Sequence, residues 1–152
     1  MKQKAIYLVL FILMILIVTV GVFYADQLDI YNTHSNPIYT SLNTSFKLNI
    51  NQTAIVEPDN IKITFLNVTE DSRCPEGTVC VWPGQVKALF LLELDQSHED
   101  VFNLTLNSNE TQSQKTIAGY SVKLVNVDPY PGSLKTITDN EYAVTLSIKT
   151  SI

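Results

Sequence analysis

Two hydrophobic patterns divide this chain. Residues 5–25, AIYLVLFILMILIVTVGVFYA, are apolar without a break and carry no charge. From Ser45 onward, apolar and polar residues instead alternate with a period of two, the signature of strands with one buried face. Phe46, Leu48 and Ile50 form one such run, and Ile61, Ile63 and Phe65 a second. Tyr120, Val122 and Leu124 repeat the pattern, as do Tyr142, Val144, Leu146 and Ile148. Val101–Leu106 is a shorter run, and Lys115–Ala118 is a further candidate. Val86–Leu94 (VKALFLLEL) is apolar on both faces at its centre, which predicts a central strand covered on both sides.

Turn chemistry separates these runs. Glu57-Pro58-Asp59-Asn60, Asp95–Asp100 and Asn107–Asn109 each break the alternation, and Asp128-Pro129-Tyr130-Pro131-Gly132 opens a longer loop running to Asn140. Six to eight short strands and no amphipathic helix predict an all-β fold, an antiparallel β-sandwich or small barrel. The organisation expected is a cytoplasmic N-terminus over 1–4, a transmembrane helix over 5–25, a stalk over 26–43 and an extracytoplasmic β domain over 44–152. Asp26–Thr40 within the stalk has no sustained period and contains Asn-Pro.

The apolar stretch sets the expected compartment. A helix of 21 residues spans about 30 Å, the thickness of a bilayer's hydrocarbon core, with every backbone polar group satisfied internally. Lys2 and Lys4 precede it and Asp26 and Asp29 follow it, so positive-inside bias keeps the N-terminus in the cytoplasm and sends the rest outside. A cleaved signal peptide also begins basic and runs apolar. This stretch is longer than usual for one, however, and bulky Phe23 occupies a small-residue position of the obvious cleavage point after Ala25. An uncleaved anchor is therefore the preferred reading, with the cell membrane as the location and the lipid bilayer as a partner of residues 5–25.

Charge changes the list of partners. Beyond residue 25 lie 15 acidic against 8 basic residues, a formal charge of −7, which argues against a nucleic-acid footprint. Five N-x-S/T sequons, at Asn43, Asn51, Asn67, Asn103 and Asn109, suit a glycosylated outer surface. The Asn, Thr and Ile bias with an acidic surface would suit an archaeal cell-surface protein.

The one specific motif is Asp71-Ser72-Arg73-Cys74-Pro75-Glu76-Gly77-Thr78-Val79-Cys80-Val81-Trp82-Pro83-Gly84, which holds both cysteines. A disulfide between Cys74 and Cys80 would close a seven-residue loop and staple a turn, worth roughly 2 kcal/mol by chain entropy. Redox chemistry prefers C-x-x-C at a helix N-terminus, and a metal would need more ligands than two thiols. Within the motif, Asp71 and Ser72 suit side-chain caps of a turn. Arg73 could pair with Asp71 or stack on Trp82. Arg73 and Trp82 form either a recognition surface or a self-contained corner of the fold, and the corner is the simpler reading.

The string DSRCP-x4-CVW-x-G resembles the signature of an uncharacterised family of small secreted or lipid-anchored β-domain proteins of bacteria and archaea. The resemblance extends through QVKALFLLEL, Tyr120–Leu124 with Pro129 and Pro131, and Tyr142–Leu146. It implies a fold and a location, not an activity. Members often carry a lipobox cysteine, whereas this chain has an apolar span instead.

The remaining candidates are weaker. Asp95, His98 and Asp100, with Glu93 before them, gather carboxylates and an imidazole that could contribute to a cation site, though a solvated turn is the commoner outcome. Tyr130, between two prolines, is either an exposed aromatic anchor or a ring packed over the end of the domain. His34 and His98 lie apart, and no nucleophile elbow is present. The expectation is a non-catalytic interaction or accessory subunit of a membrane or cell-envelope complex, with no cofactor. The alternative is a ligand- or metal-binding envelope protein using loops near Trp82, Asp95–Asp100 and Tyr130.

Overall fold

The structure, a computed structural model, describes residues 6–7, 11–20, 36–95, 98–107, 110–132 and 136–151. The chain falls into two units, Met1–His34 and Ser35–Ile152. In the first, residues 6–7 and 11–20 are helical with exposed side chains. Among the described residues no helix is long and apolar enough to cross a membrane. Much of the 5–25 stretch, and 26–35 of the expected stalk, lies outside them.

The second unit is β throughout. Its strands are β1 (Ile38–Ser41), β2 (Ser45–Asn49), β3 (Thr53–Glu57), β4 (Ile61–Asp71), β5 (Val86–Asp95), β6 (His98–Leu106), β7 (Gln114–Ile117), β8 (Tyr120–Asp128) and β9 (Ala143–Thr150). Short 3₁₀ turns at Glu110–Ser113 and Asp139–Glu141 join the later ones. A five-stranded sheet runs β1-β3-β4-β5-β6 and a four-stranded sheet runs β2-β9-β8-β7. Every pairing is antiparallel except β1 with β3, which is parallel.

The alternating runs supply the buried faces. Leu48, Val56, Ile61, Ile63, Phe65, Phe90, Leu92, Leu104, Leu124, Leu146 and Ile148 are almost wholly buried, and residues from both sheets join one hydrophobic cluster. Phe90 lies at its centre, with ring centroids 5.7 Å from Phe65 and 6.0 Å from Phe102. Bulges in β4 at Phe65/Asn67 and Val68/Glu70 let an 11-residue strand follow β5 while changing which side chains face inward.

Three findings differ from the periodicity. Strand β1 lies inside the segment expected as a stalk; four residues with two half-buried side chains carry too little alternation to register. Strand β3, whose buried residues are Ala54 and Val56, is likewise short. Strand β5 is central, as its composition demands, but it is covered on one face only. Ala88, Phe90 and Leu92 are fully buried, whereas Leu89 and Leu91 are only partly buried, shielded by neighbours in their own sheet.

Candidate functional site

The cysteine motif forms the end of the β4–β5 hairpin. The strand ladder continues past the strands themselves, with Ser72 N donating to Gln85 O (2.8 Å) and Cys74 N to Pro83 O (3.0 Å). Gly84 is indispensable to this approach. Its φ is +72°, and a Cβ there would stand 1.8 Å from the Ser72 carbonyl oxygen. Beyond it, Cys74 and Cys80 are disulfide-bonded, and the Thr78 hydroxyl donates to Pro75 O at 2.6 Å.

Arg73 is the buried hub of this corner. Its Nε donates to Asp71 Oδ1 at 2.9 Å and its Nη2 to Asp71 Oδ2 at 2.6 Å, a two-point carboxylate pair. Nη1 donates to Val127 O at 2.7 Å and Nη2 also to Pro129 O at 2.9 Å. The guanidinium carbon sits 5.0 Å from the centroid of the Tyr130 ring. Asp71 in addition accepts from the Arg73 backbone N–H (3.2 Å) and from the Tyr142 hydroxyl (3.1 Å). The two side chains are only 6% and 9% exposed. A buried ion pair is tolerated when its remaining donors and acceptors are met, and here they are. One residue thus ties β4 to the end of β8 and, through Asp71, to the residue before β9.

Burial first, and the Asp71 carboxylate second, push the Tyr142 hydroxyl up from 10.0 to about 12. Lys47, donating to Asp128 at 2.7 Å, holds the Asp128 carboxyl below its ordinary range at the end of β8. The backbone adds a further tie, since Glu76 N donates to Pro131 O at 2.9 Å. Asp71, Arg73, Pro75, Ile137 and Tyr142 contribute to the walls of an open cleft of about 430 Å³. Within it the charged groups of Asp71 and Arg73 are engaged with each other.

The structure separates residues that the sequence grouped. Arg73 pairs with Asp71 as one reading had it, but its guanidinium lies over Tyr130 and not Trp82, because the loop after β8 folds onto it while Trp82 turns outward. Tyr130 is about half exposed, with its ring against Arg73. Trp82 is 71% exposed, and Val79 and Val81 stand fully in solvent at 103% and 106%. The hairpin therefore ends in a disulfide-closed tip that presents Val79, Val81 and Trp82 to solvent, with Glu76 as its one charged residue. Its sequence sign was Val-Cys-Val-Trp-Pro, a run without a polar partner in the alternation.

At the other end of β5, Asp95 and His98 face each other across the β5–β6 turn, with Gln96, Ser97 and the Asp95 side chain outside the described residues. Asp100 pairs with Lys115 at 2.9 Å. Among the described residues no three His, Cys, Asp or Glu side chains converge as metal ligands. Asn43 and Asn51 occupy turns at φ 66° and 58°, Asn67 and Asn103 lie in β4 and β6 with exposed side chains, and Asn109 lies outside the described residues. Comparison with family models, with curated proteins and with solved structures finds no match for this chain.

Proposed function

We propose that this chain is a single-pass membrane protein whose β domain, a two-sheet sandwich outside the cytoplasm, works as a non-catalytic interaction or accessory subunit. The uncharged 5–25 stretch behind Lys2 and Lys4 supports the anchor, and the disulfide suits an oxidising compartment. Two sheets feeding one cluster support the sandwich. The resemblance carried by the DSRCP-x4-CVW-x-G string supports the same placement.

The observation that carries the interaction role is the hairpin tip. Val79 projects from the disulfide-closed loop and Val81 and Trp82 from the residues just after it, on a hairpin end held at its base by Arg73 and the Cys74 N to Pro83 O bond, so conformational freedom lost on docking is reduced. Tryptophan is also among the side chains that dominate protein interfaces. The partner proposed is a neighbouring envelope or membrane protein with an apolar cavity.

The test is gentle detergent extraction of the native protein, native electrophoresis and mass spectrometry of what co-migrates, repeated with Trp82→Ala. A defined set of partners, lost in the variant while its disulfide and β-sheet circular dichroism persist, supports the role. Migration alone overturns it. A stoichiometric metal retained through purification would favour the binding-protein alternative instead.

A further inference from the structure

The outer face of the five-stranded sheet places two sequons in one row. Asn67 on β4 pairs in register with Leu89 on β5, and Leu89 pairs with Asn103 on β6. Two strand spacings put the asparagines about 10 Å apart, with a leucine between them. The next row along the same face pairs Leu91 with Val101, which is 58% exposed. This face therefore carries Leu89, Leu91 and Val101 as an apolar strip across β5 and β6.

Asparagine is disfavoured in strands, and its use at other sequons has a backbone explanation. Asn43 and Asn51 adopt left-handed turns, a conformation that asparagine tolerates better than most residues. Asn67 and Asn103 have no such reason. Each uses its side-chain oxygen as an acceptor, Asn67 from the Val68 N–H at 2.8 Å and Asn103 from the Thr69 hydroxyl at 3.4 Å. No hydrogen bond donated by either amide nitrogen is found among the described residues. Beside Asn103 runs an open polar groove of about 510 Å³, lined by Gln85, Lys87, Thr105, Gln112, Gln114 and Lys115. Amides, hydroxyls and amines in that arrangement suit the hydroxyls of a saccharide.

We propose that Asn67 and Asn103 both carry N-linked glycans, which together cover the Leu89, Leu91 and Val101 strip, the Asn103 glycan lying along the groove. The donor class is a lipid-phosphate-linked oligosaccharide. In the transfer, each amide nitrogen bonds to the anomeric carbon of the first sugar and gives up one proton. The bond from that carbon to the lipid phosphate oxygen breaks, and the lipid phosphate departs with the electron pair. This inference rests on the extracytoplasmic placement proposed above.

The test is glycopeptide mass spectrometry on the full chain from its own cells, beside protease digestion of intact cells to place the domain. Expected are saccharides on both asparagines and loss of one glycan mass in each of Asn67→Gln and Asn103→Gln. Thr105→Ala, which keeps the asparagine, removes the same mass as Asn103→Gln. The double variant binds a hydrophobic dye several-fold more strongly. Bare asparagines on a domain digested from outside overturn this inference alone, as does occupancy of only one of the two. A protected domain overturns it together with the extracytoplasmic placement.

Discussion

Arg73 makes contacts that no other side chain could replace at once. A planar fork meets the Asp71 carboxylate at two points, two carbonyls accept from its nitrogens and an aromatic ring lies against it. Arg73→Lys keeps the charge but loses the fork, and is expected to lower stability by about 2 kcal/mol. Arg73→Ala, which leaves Asp71 buried without its partner, is expected to cost about 3–5 kcal/mol in urea unfolding. Tyr142 gives this corner a pH dependence. Its hydroxyl holds its proton to about 12 in the fold against 10.0 in the unfolded chain, so between those values the native state binds more protons. Stability present below pH 10 is therefore lost as pH rises through 12. The loss, on the order of 1–2 kcal/mol, should be absent from Tyr142→Phe when unfolding is followed from pH 8 to 12. In the sequence, the Arg73–Asp71 pair was legible because the residues are two apart. The contacts to Val127, Pro129, Tyr130 and Tyr142 were not, since they come from positions more than 50 residues away.

At the level of elements, the β4–β5 hairpin shows what a period of two reveals and what it misses. Ile61, Ile63 and Phe65 were placed inward by alternation alone, whereas the bulges of β4, which reverse which side chains face the core, leave no periodic sign. The apolar composition of β5 located it in the interior of a sheet, between β4 and β6, but overstated its burial, because side chains of adjacent strands can shelter a leucine without a covering layer. Gly84 sets the hairpin's close approach. Gly119 shares its positive φ, at +85°, yet a Cβ there would meet nothing within 4 Å. Gly119→Ala should therefore show backbone strain alone, about 1 kcal/mol, while Gly84→Ala adds a collision with Ser72 and should cost about 3 kcal/mol. Parallel thermal melts of the two variants measure the difference directly.

At the scale of the molecule, composition and alternation were enough for an all-β fold. The order of strands was not legible, because pairing depends on which faces meet and not on any one segment's pattern. The parallel β1–β3 edge in particular has no local signature. Strand β9 is the keystone of the smaller sheet, lying between β2 and β8 and contributing Val144, Leu146 and Ile148 to the core. Three such buried side chains are worth roughly 2 kcal/mol each, comparable with the whole stability of a small domain. A chain ending at Tyr142 is expected to show no cooperative unfolding transition by circular dichroism.

The pairing of β2 with β9 has a consequence in time. Phe46 must wait for Leu146, a hundred positions later, before its strand gains a neighbour. During synthesis the early strands are made, yet the smaller sheet cannot close until β9 emerges. An incomplete chain, from a stalled ribosome or a premature stop, would retain an open sheet and an exposed core, ready for quality-control proteases. Strand β9 thus serves as a check that every strand of the smaller sheet has been made.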